Sequence, residues 1–214
     1  MAKSRSYNAA SIITLTDCEG IRKNPAIYAG DDEKTAAFLV VKEIIDNARD
    51  EAVVAKSKQV AVVRFANKFA VYDDGRGIPT EIHPTQKIST LELVFTKLNA
   101  GAKGNNNSYG DNGDKIIGVH GMGAAVSNAL SDTLDAFTYR KGWFRYSAAQ
   151  GKSIYIGKAK HPNSDALPPA ALDFIFAKAQ HKGTLVIIKP DQKIFEGIEI
   201  SSDAIANYLK INRK

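Results

Sequence analysis

KTAAFLVVKEIIDNARDEAVVAKSKQVAVVRFANKFAVYDDGRGIP, residues 34–79, joins a long helix to two strands and a glycine-rich turn, and the architecture of the chain can be read outward from it. At about 100° per residue, Phe38, Val41, Ile45, Ala48 and Ala52 fall on one side of a helix over 34–56. Glu43, Asp46, Asn47 and Asp50 fall on the opposite side. VAVVRF (60–65) and KFAVYD (68–73) are β-rich runs separated by Ala66 and Asn67, which predicts a hairpin. Further strands are predicted at 133–139, 143–149, 152–157 and 183–189, and helices near 89–98, 124–131, 170–179 and 201–210. Strands adjacent in sequence with helices in blocks imply an α+β fold: a two-layer sandwich with a mixed, mostly antiparallel sheet and helices on one face.

The 214 residues fit a single domain. Hydrophobic residues make up 44% and charged residues 24%, an ordinary globular balance. No apolar run approaches the roughly 20 residues of a membrane span, and the N-terminus lacks a signal-peptide core, so a cytoplasmic protein without membrane contact is expected. The single cysteine, Cys18, excludes an internal disulfide and a cysteine-rich metal site. A net charge of +6 favours phosphate-bearing partners only weakly, since no basic run exceeds two residues.

Three places could carry chemistry. Concentrated carboxylate and amide oxygens on the 34–56 helix suit a divalent cation and a proton acceptor, with an acidic solvated face as the equal alternative. In Asp73-Asp74-Gly75-Arg76-Gly77-Ile78-Pro79, the glycines permit close backbone approach and a strand-end carboxylate can accept an exocyclic amine, although D-G also marks an ordinary β-turn. Gly118-Val119-His120-Gly121-Met122-Gly123 feeds a helix, and free N–H groups at a helix start seat phosphate. It closes a stretch, 99–123, with seven glycines and five asparagines, too long for a routine connection. Neither the dinucleotide fingerprint nor the P-loop fits: the glycine a P-loop needs five residues before Gly151 is Tyr146.

In order and at these distances, EIIDNARDEA (43–52), DDGRGIP (73–79), GVHGMG (118–123) and KGTLVI (182–187) resemble the GHKL superfamily, or Bergerat-fold ATPases. IRKNPAIYAG (21–30), DDGRGIPTEIHP (73–84) and AGAKGNNNSY (100–109) resemble the B subunits of DNA gyrase and topoisomerase IV most closely, from about Tyr7 to the end of the chain. Heat-shock chaperones and MutL proteins would fit the four motifs but not IRKNPAIYAG or DDGRGIPTEIHP, and a sensor kinase would need a phospho-accepting histidine on an upstream helical hairpin. The resemblance implies an ATPase domain of a type II DNA topoisomerase whose nucleotide-dependent dimerisation drives a strand-passage gate. It implies ATP and Mg2+ as cofactors, and as partners a second copy when ATP is bound, a monomer without it, the A subunit of the topoisomerase, and DNA through the full-length enzyme. The alternatives are a nucleotide-binding module with little catalysis and another GHKL ATPase.

By the same resemblance, Glu43 is the general base aligning the attacking water and Asn47 holds Mg2+. Asp73 takes the adenine amine, with Thr184 assisting through water, while Gly77, Ile78 and Pro79 wall the base and Tyr109 reaches it from an ATP lid over 99–123. Lys103 and the backbone of Val119, Gly121, Met122 and Gly123 surround the phosphates, and Asp50 belongs to the nucleotide site. Glu51 and Arg76 form a salt bridge at the pocket mouth, with Arg140 near the rim that aminocoumarin inhibitors use. Residues 1–20, around Tyr7 and Ile12, resemble a dimerisation arm, and a following transducer domain is expected to be absent.

Leu39 stands where gyrases commonly carry a histidine that orients the glutamate, and Ile116-Ile117-Gly118 replaces Ser-Gly-Gly in the lid. Slower hydrolysis is expected, not its loss. Glu43→Ala is predicted to bind ATP yet lose nearly all turnover, because general-base help is worth roughly 10²–10⁴-fold. A single-turnover assay at the parental rate would remove Glu43 from that role.

Overall fold

The computed structural model describes residues 11–57, 59–101, 121–176 and 182–211. The chain runs α1 (Asp17–Lys23), α2 (Pro25–Ala29), α3 (Glu33–Ala55), β1 (Val60–Phe65), β2 (Lys68–Asp73), α4 (Thr90–Thr96), α5 (Gly123–Ala129), β3 (Ser131–Tyr139), β4 (Trp143–Ala149), β5 (Lys152–Lys158), α6 (Pro169–Phe176), β6 (Gly183–Pro190) and α7 (Ser202–Ile211). The strands form one six-stranded sheet in the order β1-β2-β6-β3-β4-β5. Each pairing of these strands is antiparallel.

Local chemistry sets the element ends. Asp32 caps α3 by accepting the Thr35 N–H at 2.7 Å, and Lys56 in the left-handed region stops the helix. Ala66 and Asn67 close the β1–β2 hairpin, with Ala66 at φ +48°. The pattern reading did not include α1 and α2, although a signal was present. Thr16 and Glu19 form a reciprocal capping box, and Pro25 opens α2 where its missing N–H costs nothing. Four residues of the 1–20 segment, Asp17 to Gly20, therefore belong to a packed helix, with Cys18 in the core, while Ile12 and Ile13 ahead of it are exposed.

Strand alternation decides which side chains meet which layer. Phe69, Val71, Leu134, Ala136, Val186 and Ile188 face α3 and the helices around it, which contribute Val40, Val41, Ile44, Ile45 and Ala48. The other face carries Ala70, Tyr72, Phe137, Leu185 and Ile187 under Leu167, Ala171 and Ile175. The helix layer is thus as expected, and α6 adds a small cover on the opposite face. Strand β6 is buried on both sides because it lies at the centre of the sheet.

Two acidic residues of α3 depart from the helical-wheel expectation. Asp46 and Asp50 are buried, at 2% and 1% exposure. Tyr208 of α7 covers Asp46, so that part of the acidic side is an interface between helices and not a solvated face.

One ion pair holds the start of the chain to the sheet. Arg22 donates to Asp191 Oδ2 at 2.6 Å and to the Ala129 carbonyl at 2.6 Å, joining α1 to the end of α5 and to the residue after β6. Asp191 is 2% exposed, so removing its cation strands a buried charge. Arg22→Met is predicted to cost about 3 kcal/mol of stability, measured as a lower urea midpoint with an unchanged slope.

Candidate functional site

The apolar rows of the helix-facing sheet surface end in a polar one. Thr184 of β6 lies directly opposite Asp73 of β2 on one side and Thr138 of β3 on the other, so the three side chains share a face. All three are buried, at 5% for Asp73, 6% for Thr184 and 0% for Thr138. Asp73 Oδ1 accepts the Gly75 N–H at 3.0 Å, and Thr138 Oγ1 accepts that of Ile78 at 2.7 Å. Burial raises the Asp73 carboxyl to about 8; the Gly75 N–H opposes this, and the nearby charges of Glu51 and Asp74 add to it.

Backbone approaches around this carboxylate require glycine at two points. Gly183 has φ +91°, and a Cβ there would lie 2.8 Å from Asp74 Cα. Gly77 has φ +73°, and its Cβ would press 3.0 Å from Thr138 Oγ1. Ile78 packs against the helix-side core, whereas Pro79 is exposed.

Above the row, α3 and α5 bring polar groups together. Gly123, first residue of α5, faces Glu43 so closely that a Cβ would lie 2.8 Å from its carboxyl carbon. Asn47 follows one turn later on α3 and is half-buried. The Ser127 hydroxyl, donating to the Val40 carbonyl at 2.8 Å, fixes α5 against α3. Met122 precedes α5, whose start has no side-chain cap. Gly121 lies against Gly101, a Cβ there being 2.9 Å from the Gly101 nitrogen, so the residues flanking the 102–120 segment meet at this site.

The expected Glu51–Arg76 ion pair is present. Glu51 accepts from Arg76 Nε at 2.9 Å, from its terminal nitrogen at 2.8 Å and from its backbone N–H at 2.7 Å. Arg140 donates to the carbonyls of Arg76 at 3.1 Å and Gly77 at 3.4 Å, which fastens the rim. Asp50 is buried on α3. Lys103, Tyr109 and Val119 lie outside the described residues, as do Ile116, Ile117 and His120.

Asp46, grouped with Glu43 by the helical wheel, is occupied elsewhere: Lys42 Nζ lies 2.6 Å from its Oδ2, and the Tyr208 hydroxyl donates to its Oδ1. Thr138 is not among the residues that the sequence motifs single out. Thr138 had a signal, being a polar residue at the inward parity of a strand that also carries Leu134 and Ala136. Among the described residues no cluster of three His, Cys, Asp or Glu could hold a metal ion, and no helix is long and apolar enough to cross a membrane. A separate cleft of about 230 Å³, lined by Ala37, Arg64, Phe69 and Phe195 among others, lies toward the other end of α3.

The family model for histidine kinase-, DNA gyrase B-, and HSP90-like ATPases matches residues 32–193. The chain is 36% identical over 207 residues to the B subunit of DNA topoisomerase 4 from Mycoplasma pneumoniae, covering 96% of this chain and 30% of that protein. It is 41% identical over 155 residues to the B subunit of DNA gyrase from Treponema denticola, covering 72% of this chain and 24% of the relative. The structure of the 43K ATPase domain of Thermus thermophilus gyrase B in complex with an aminocoumarin aligns with a TM-score of 0.66 at 26% identity, over 92% of this chain and 45% of that one. The chain therefore spans about a quarter to a third of the length of these curated relatives. With Asp73, Thr184 and Thr138 buried side by side on the sheet and Gly123 against Glu43, the chain belongs to the histidine kinase-, DNA gyrase B- and HSP90-like ATPase family, as an ATP-binding domain homologous to those of the gyrase and topoisomerase IV B subunits.

Proposed function

We propose that this chain binds ATP between the Asp73–Thr184–Thr138 row and the start of α5, and hydrolyses it with Glu43 as general base. The observation that carries the reading is the buried Asp73 carboxyl, held at the end of a strand with its Oδ1 beside the Gly75 backbone. Each N–H that donates to a buried carboxylate offsets part of its desolvation, and the exocyclic amine of adenine can join the Gly75 N–H as such a donor. Thr184 assists through water, and Gly77, Ile78 and Pro79 flank the base. Toward the phosphates, the uncapped start of α5 offers backbone N–H groups at Gly121, Met122 and Gly123. Lys103, Val119 and Tyr109 contribute from the 102–120 segment.

Glu43 accepts a proton from the water that attacks the γ-phosphorus. The bond from that phosphorus to the bridging oxygen breaks, and ADP and phosphate leave. Asn47, half-buried on α3, would hold Mg2+ through its amide oxygen. Bound Mg2+ supplies charge neutralisation on the phosphates. In the intact protein the domain serves a cytoplasmic type II topoisomerase together with an A subunit and DNA, and it pairs with a second copy when ATP is bound. Exposed Ile12 and Ile13 are apolar surface available to such a partner.

Calorimetric titration of a non-hydrolysable ATP analogue with Mg2+ tests the reading. Saturable binding is expected, weakened by Asn47→Ala and, by roughly 1–3 kcal/mol, by Asp73→Ala; undiminished binding by both variants would refute the site. A pH effect follows from the raised Asp73 carboxyl. Unliganded Asp73 is largely protonated at neutral pH, whereas the ionised form accepts the amine more strongly. Affinity should therefore rise as pH increases toward about 8, with a proton released on binding at pH 7. Titrations in buffers of different ionisation enthalpy measure that proton, and Asp73→Asn should abolish it.

A further inference from the structure

Next to Glu43 stands a cation that the proposed hydrolysis does not use. Lys42 Nζ lies 3.6 Å from Glu43 Oε1 and 2.6 Å from Asp46 Oδ2. Asp46 is 2% exposed, and its other oxygen accepts the Tyr208 hydroxyl, with Arg49 3.9 Å away. The ammonium also lies 5.6 Å from the centre of the Tyr208 ring, within cation–π range, and the ring itself packs edge-on against Phe38. Leu39, one turn before Glu43, has no polar atom to offer the carboxylate.

We infer that Lys42 is a positioning residue for Glu43, and that Asp46 and Tyr208 hold it there so that the seating of α7 on α3 sets the orientation of the base. This rests on the reading of Glu43 as general base. The geometry favours positioning over a plain surface ion pair because the ammonium is fixed from two sides. A lysine with four rotatable methylenes ordinarily gains little from one exposed partner. Here Asp46 cannot move, since it is buried and bonded to a second helix, and the aromatic ring borders the ammonium. The other carboxylate within ion-pair distance of the ammonium is Glu43, which must be accurately placed against the attacking water to be effective. A shift of α7, the last described element, is thereby passed to the base through two side chains.

Single-turnover hydrolysis and analogue affinity should be measured for the chain, for Lys42→Met, Lys42→Arg, Tyr208→Phe and Glu43→Ala, and for the Lys42→Met, Tyr208→Phe double variant. Lys42→Met is expected to lower the rate at saturating ATP by about tenfold, with affinity changed less than about twofold, and Lys42→Arg to restore most of the rate. Tyr208→Phe should slow hydrolysis several-fold, and its effect should not multiply with that of Lys42→Met, because both act through one contact. Glu43→Ala separates the two readings. If it is inactive while Lys42→Met turns over normally, the positioning role is wrong and the base assignment stands; if Glu43→Ala turns over normally, both fall. Loss of affinity in proportion to rate in Lys42→Met would reduce the residue to a structural one and overturn the inference.

Discussion

A carboxylate buried at the end of a strand is the constraint around which this domain is arranged. Asp73 lies at the edge of the hydrophobic layer between sheet and helices, where an unpaired charge is costly, and its neighbours on β6 and β3 are threonines with hydroxyls in place of methyl groups. The same cross-strand alignment that stacks Phe69, Ile188 and Leu134 into a core row sets Asp73, Thr184 and Thr138 side by side. Core and site are therefore successive rows of one surface, and a slip of one residue in β6 would turn every inward side chain outward.

Helix α3 serves both rows. Its apolar arc packs on the sheet, while Glu43 meets Gly123 of α5 and Glu51 lies beside Gly75 next to the Asp73 carboxyl. Rigid packing on one side is what gives the polar side a defined position. The approach of α5 depends on the absence of a side chain at Gly123, since any Cβ there would meet Glu43, and the hydroxyl of Ser127 ties that helix to the α3 backbone. Glu51 and Arg76 bind the last turns of α3 to the loop after β2, and Arg140 fastens that loop to the β3–β4 turn.

Acidic residues on α3 divide into two groups by their partners. Glu43 faces Gly123 at the start of α5, whereas Asp46, three residues later, turns to Lys42 and Tyr208. A helix presents successive residues about 100° apart, so neighbours in sequence meet different layers. Lys42 is the point at which the two groups touch, within ion-pair distance of both Asp46 and Glu43.

Much of this protein is determined by local sequence. The hairpin around Ala66 and Asn67, the length of α3, the six strands and the family were legible because periodicity, turn residues and motif order are short-range properties. Even the overlooked α1 was encoded locally, in the Thr16–Glu19 capping box. What only the tertiary structure decided are the meetings of distant segments. Strand β6, last of the six in sequence, inserts between β2 and β3, and that crossover brings Thr184 between Asp73 and Thr138. The removal of Asp46 from the acidic group likewise depends on Tyr208, 162 residues later. Spacing along one helix fixes the direction of a side chain, but its partner is set by which elements pack there, and that is settled by burial over the whole chain.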